Sequence, residues 1–336
     1  MEILNIPPDL ETKLKDEGME LNGKGEVKKV TVLFVDIKNF TGLFQKHDSS
    51  TVLAIMDLYF RVLMSIVKKY DGIIPMISGG SLMAVWGLPM EQRSDAYNAA
   101  RAAIEMRMEM FHLVPELVRV GTVPLEIGIG IGSGKVVSGF VGPSSRRDFT
   151  LVGNCIIRGQ RLESIASDNR IFIDKITASE VKSLSYLLPI QKIAVKLGIK
   201  DINAYEIEGI YEFNRQFESV RRHPRFLVAK VVGIKKVSPQ KRKAGMLKSI
   251  GEGGLGIELH DHKDFDLKIG DKTVIDAKGL NLLGMDEVKG VVVRKEEHKS
   301  DGIFRLKTWD VGIKLLELPE ETKKRLQKLA VGKRVM

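Results

Sequence analysis

The chain has 336 residues, 43% of them hydrophobic and 29% charged, enough for two domains with separate cores and in the range of a soluble globular protein. A single cysteine, Cys155, excludes an internal disulfide framework and a thiolate metal cluster. The net charge of +10 points to an anionic partner. With no helix-turn-helix, zinc-finger or aromatic-rich RNA-binding pattern, a small anionic ligand is favoured over nucleic acid.

In chain order, residues 1–27 read as a leader, helical or loose. The β-branched run Val30-Thr31-Val32-Leu33-Phe34-Val35 predicts a strand that ends in an acid, Asp36, and a turn that opens a helix. Residues 50–70 predict an amphipathic helix, with Leu53, Met56, Tyr59, Phe60, Leu63 and Val67 on its apolar face. Residues 73–85 read as a hairpin around Ser78-Gly79-Gly80. A second helix, rich in Ala and Met, is predicted over 95–113. From 125 to 132 apolar residues alternate with glycine, as in a closely packed central strand. A helix over 152–167 and a strand at 171–173 follow. From about 217 onward the pattern is short strands with glycine turns, closed by a helix over 320–328. Apolar runs read as too short to cross a bilayer, and the N-terminus lacks a signal-peptide core. Both point to a cytoplasmic protein without membrane insertion. The basic residues bunch at Arg215, at Arg221, Arg222 and Arg225, and from Lys235 and Lys236 to Lys241, Arg242 and Lys243.

Residues 28–210 resemble the class III adenylyl and guanylyl cyclases. The resemblance rests on Phe34-Val35-Asp36-Ile37 with Phe40-Thr41, on Met83-Ala84-Val85-Trp86-Gly87, on the glycine run from Ile127 to Gly139, and on Asp148-Phe149-Thr150-Leu151-Val152-Gly153-Asn154 with Arg161-Leu162-Glu163. It implies an α+β fold with a ferredoxin-like βαββαβ core and a site shared between two subunits. In that site two carboxylates hold two metal ions beside a nucleoside triphosphate. Matched to the family, Asp36 keeps the first metal acid and Gly80 replaces the second. Met76 replaces the purine-reading lysine, Thr150 is acceptable at the other purine position, Ile157 replaces the ribose asparagine, and Arg161 keeps the arginine. One carboxylate cannot balance two divalent ions, so the resemblance implies an impaired catalyst. Two simpler readings stay open: Asp36 as a helix cap, and Arg161 as a surface arginine.

Residues 221–336, after a linker at 211–220, resemble a PilZ domain, the bacterial receptor module for cyclic di-GMP. Arg221 and Arg225 fit its RxxxR motif, with Arg222 between them; Ser249 to Gly254 falls where the family has (D/N)xSxxG. The resemblance implies an all-β barrel with a C-terminal helix. Its ligand contacts would come from Arg221, Arg222, Arg225, Ser249, Gly251 and Gly254. Ser249 replaces the usual Asp or Asn, Gly251 replaces the usual Ser, and Gly254 is kept. The alternative for the barrel is a protein-interaction module.

Together these readings predict a bacterial second-messenger signalling protein. It would be a homodimer through residues 28–210, with cyclic di-GMP as ligand of the second domain. ATP or GTP, with magnesium, would be the ligand of the first, and a protein partner would lie downstream. The alternatives are an active adenylate or guanylate cyclase regulated by its second domain, and a scaffold with no nucleotide ligand.

Overall fold

The computed structural model describes residues 4–18, 25–122, 124–190, 203–211, 226–251, 253–260, 265–278, 280, 283–299 and 307–331. The chain divides into two compact units, residues 1–106, 116–182 and 187–207 in one, and 107–115, 183–186 and 208–336 in the other.

The elements that begin in the first stretch are β1 (Leu4–Asn5), α1 (Pro8–Asp16), β2 (Glu26–Ile37), α2 (Phe40–Lys46), α3 (Ser49–Lys69), β3 (Ile73–Ser78), β4 (Ser81–Trp86) and α4 (Asp95–Arg119). They continue with β5 (Ile127–Val141), β6 (Arg147–Val152), α5 (Asn154–Ile165), β7 (Ile171–Asp174), α6 (Lys175–Val181), β8 (Ser185–Pro189) and β9 (Ala204–Tyr211). The central sheet of the first unit runs β7-β5-β2-β4-β3. β2 and β5 are antiparallel over their length, from Glu26 opposite Ser138 to Ile37 opposite Ile127. β7 lies parallel to β5, and β6 pairs with the far end of β5.

The alternating glycines of β5 have a packing cause. A Cβ at Gly130 would stand 2.1 Å from the Gly159 carbonyl oxygen, and one at Gly132 would stand 2.4 Å from the Cys155 carbonyl oxygen. The backbone of α5 therefore lies directly on β5, an approach only glycine permits. Helix α3 starts at Asp48, whose carboxylate accepts from the Ser50 and Thr51 N–H groups, each at 2.9 Å.

The leader, expected to be helical or loose, holds the helix α1, whose Leu10 and Leu14 are buried in a cluster with Val30, Val32 and Ile73. Two other sequence expectations need correction. Leu53, expected on the apolar face of α3, is exposed, because that helix buries Val52, Ile55, Tyr59 and Leu63 instead. Finally, α3 is long and apolar enough to cross a membrane by length and composition, contrary to the reading that no run is. Eight of its residues are nonetheless buried, where a core helix places them.

The second unit holds β10 (Phe226–Lys236), β11 (Lys241–Gly251), β12 (Gly254–His260), β13 (Lys272–Asp276), β14 (Glu287–Lys299), β15 (Lys307–Leu315) and α7 (Glu320–Val331). The strands pair in the order β11-β12-β15-β14-β13-β10, and β10 pairs back to β11, which closes a six-stranded barrel. Val228, Val232, Leu247, Ile257, Val288 and Ile313 fill it. Leu326 of α7 joins that core, and the Thr322 hydroxyl donates to the Leu283 carbonyl at 2.8 Å.

Candidate functional site

Asp36 is the half-buried penultimate residue of β2, opposite Gly128 of β5 and Ser81 of β4. Gly80 closes the β3–β4 turn beside it: the Ile37 N–H donates to the Gly80 carbonyl at 3.3 Å. A Cβ at Gly80 would stand 3.3 Å from Asp36 Oδ1 and 3.1 Å from the Phe40 ring. The position that would carry a second carboxylate is thus in contact with the first. Asp36 does not cap α2, whose cap residue is Asn39; its backbone partner is the Ile37 N–H.

The neighbourhood of Asp36 holds two groups the sequence reading missed. Lys38 Nζ donates to Glu163 Oε1 at 2.5 Å and to the Glu163 carbonyl at 3.0 Å. Burial pushes the carboxyl groups of Asp36 and Glu163 above the ordinary range, while the Lys38 ammonium pulls both back down. The Tyr59 hydroxyl is buried beneath them without a hydrogen-bond partner, its pKa raised by burial and by both acids. Lys38 and Glu163 are 125 residues apart in sequence, so no local pattern announces the pair. Lys38 thus places a side-chain cation beside Asp36.

A metal held here with a nucleotide would draw on one or two carboxylates together with phosphate oxygens, and Asp36 is the acid placed to supply one. Among the described residues no group of three His, Cys, Asp or Glu side chains is placed to hold a metal ion. Asp36 stands as the one uncommitted carboxylate, because Glu163 is bound to Lys38.

The remaining expected residues fall elsewhere. Thr150 is on β6, opposite Gly139. Gly139 is eleven residues along β5 from Gly128, the partner of Asp36, a distance on the order of 35 Å in an extended strand. Ile157 and Arg161 are exposed, one helical turn apart on the outer face of α5, whose inner face buries Cys155, Gly159, Leu162 and Glu163. Met76 is exposed on β3, at the sheet edge. One protomer therefore brings Asp36 and Gly80 together and holds Thr150 away from them.

In the barrel, Ser249 is buried in β11, between Leu227 of β10 and Gly256 of β12. Gly251 pairs with Gly254 at the β11–β12 turn. Gly254 has φ +151°, and a Cβ there would stand 2.2 Å from the Ile313 carbonyl oxygen. Arg221, Arg222 and Arg225, with the expected linker beyond Tyr211, lie outside the described residues.

A glycine-packed α/β sheet with one acid at its turn is the architecture of a class III cyclase domain, and a closed six-stranded barrel follows it in sequence. Residues 23–209 match the family described as Adenylate and Guanylate cyclase catalytic domain, and the chain belongs to it; residues 219–332 match the PilZ domain. Among curated proteins, Adenylate cyclase 1 of Rhizobium meliloti (strain 1021) is 26% identical over 62% of this chain and 31% of its own length. The terminal-differentiation specific adenylate cyclase of Dictyostelium discoideum is 25% identical over 60% of this chain and 10% of its own length. The chain thus spans less than a third of either relative. Among solved structures, the adenylyl cyclase CyaB from P. aeruginosa is 30% identical with a TM-score of 0.52, covering 57% of this chain and 98% of that one. The guanylyl cyclase Cya2 is 25% identical with a TM-score of 0.52, covering 57% and 97%.

Proposed function

We propose that this is a bacterial, cytoplasmic second-messenger protein in which a catalytically impaired cyclase domain is joined in sequence to a PilZ receptor for cyclic di-GMP. The observation that carries the impairment is Gly80 beside Asp36, with a neighbouring carboxylate, Glu163, bound to Lys38. Two divalent ions need more negative charge than Asp36 supplies. Met76 and Ile157 offer a purine and a ribose apolar surface where the family offers hydrogen bonds.

The cyclase domain works as a homodimer in this reading. Val27, Val137 and Val152 are exposed and lie in one cross-strand row, Val27 opposite Val137 on one side and Val152 opposite Val137 on the other. Burying such a row against a second copy is favourable by roughly 25 cal/mol per Å². A second copy is also what would bring a Thr150 towards an Asp36. The residues that would face ATP or GTP are Asp36, Thr150 and Arg161, and those that would face cyclic di-GMP are Arg221, Arg222, Arg225, Ser249, Gly251 and Gly254.

A cyclase assay with magnesium and with manganese tests this reading. The wild-type chain is expected to form no cyclic AMP or cyclic GMP above background. Turnover on the order of 1 per second, abolished by Asp36→Ala, would replace it with the second reading, an active cyclase, which the names of the curated relatives favour. Light scattering is expected to show a dimer that Val137→Asp converts to monomer; a wild-type monomer at tens of micromolar would refute the dimer.

A further inference from the structure

The sequence from Lys235 to Lys243 carries five basic residues and no acid, and the structure makes it the tip of the β10–β11 hairpin. The register sets like charges opposite one another: Lys235 faces Arg242 and Lys236 faces Lys241. Such pairs destabilise a hairpin. Three acids offset part of the charge: Asp271 at 2.6 Å from Lys236, Asp276 at 3.0 Å from Arg242, and Asp266, which pairs with Lys295 at 2.5 Å and whose pKa is lowered by that lysine and also by Lys268 and Lys236. The loop before β13 lies against this tip, with the Val237 N–H donating to the Lys272 carbonyl at 3.1 Å. It adds Lys268, and β13 opens with Lys272, both exposed. Two aliphatic side chains stand among these cations: Val237 is 51% exposed and Ile269 is 68% exposed.

We infer that this tip docks the protein on an anionic lipid surface. A polybasic cluster is drawn to acidic headgroups, and exposed aliphatic side chains within it gain by entering the headgroup boundary. Nucleic acid would satisfy the lysines but offers nothing to Val237 and Ile269. Acidic lipid satisfies both and relieves the like-charge pairs of the hairpin. Docking here is peripheral and needs no inserted helix. The tip is also separate from the nucleotide motif: Ser249 is eight residues along β11 from Lys241, on the order of 25 Å.

Sedimentation of the full chain with vesicles tests the inference. Vesicles of equal parts phosphatidylcholine and phosphatidylglycerol are expected to carry the protein down, and phosphatidylcholine alone is not. Replacing Lys235, Lys268 and Lys272 together with Gln should weaken partition about 100-fold, roughly fivefold per cation. Val237→Ser with Ile269→Ser should weaken it about tenfold at unchanged charge. Unchanged thermal melting of both variants shows that the barrel still folds. Equal partition onto the two vesicle types, or indifference to either variant, overturns the inference. So does tight binding of duplex DNA that the aliphatic variant leaves intact, since that would assign the tip to nucleic acid.

Discussion

The two units have lost family motif residues in different ways. In the cyclase unit Gly130 and Gly132 seat α5 on β5, and of the matched charged positions Asp36 and Arg161 are kept while Gly80 stands where the resemblance expects a second acid. In the barrel one motif residue is itself scaffold. Gly254 is required by the Ile313 carbonyl 2.2 Å from where its Cβ would be. Its retention follows from strand packing and carries no information about a ligand. Ligand binding by the barrel would depend instead on the arginines that precede β10 in sequence. A retained motif residue counts toward function only after packing has been shown not to demand it.

Substitutions can separate these roles, and the scaffold ones should be largest. Gly130→Ala drives a methyl into the α5 backbone and is expected to cost about 3 kcal/mol or more, read by chemical denaturation. If the cost were under about 1 kcal/mol, the close approach of α5 to β5 would be wrong. Next come the arginines. Arg221→Ala and Arg225→Ala should each weaken cyclic di-GMP binding by about 1.5 to 3 kcal/mol in calorimetry, and the protein should show no loss of stability. Absence of heat with the wild-type chain at hundreds of micromolar ligand would leave the barrel as an interaction module. A smaller gain is expected from Gly251→Ser, which restores the family hydroxyl and should tighten binding by about 1 kcal/mol.

The smallest effect concerns Asp36. Burial raises its pKa in the folded state above that of the unfolded chain. The folded protein therefore holds the proton more tightly, and this contribution to stability is full below the ordinary carboxylate pKa and lost as pH rises through the raised one. Asp36→Asn should remove that loss. Stability measured against pH from 4 upward should fall less in the variant than in the wild type. Parallel curves would mean that Asp36 is solvated as in the unfolded chain.

Much of this was legible in the sequence because it is local. The glycine alternation of β5, the hairpin at Ser78 to Gly80 and the strand that carries Asp36 near its end each follow from neighbouring residues. The helix predicted to stop at 113 runs on to Arg119 through Pro115, since Leu117 is buried and holds the last turn in place. What sequence could not give depends on register or distance. The Lys38–Glu163 pair joins residues 125 apart, and the Val27, Val137 and Val152 row exists only once three strands are aligned. The charged tip was visible as composition, but its like-charge facing pairs were not, because they depend on where the hairpin turns.

The eleven-residue separation of Asp36 and Thr150 along β5 has a consequence for dose. With a nucleotide site divided between two copies as proposed, the number of complete sites rises with the square of protein concentration when the protein is dilute. Doubling expression then quadruples the number of complete sites, and halving it leaves a quarter. Copy number itself becomes an input to the signal, set by transcription and degradation as much as by any messenger molecule.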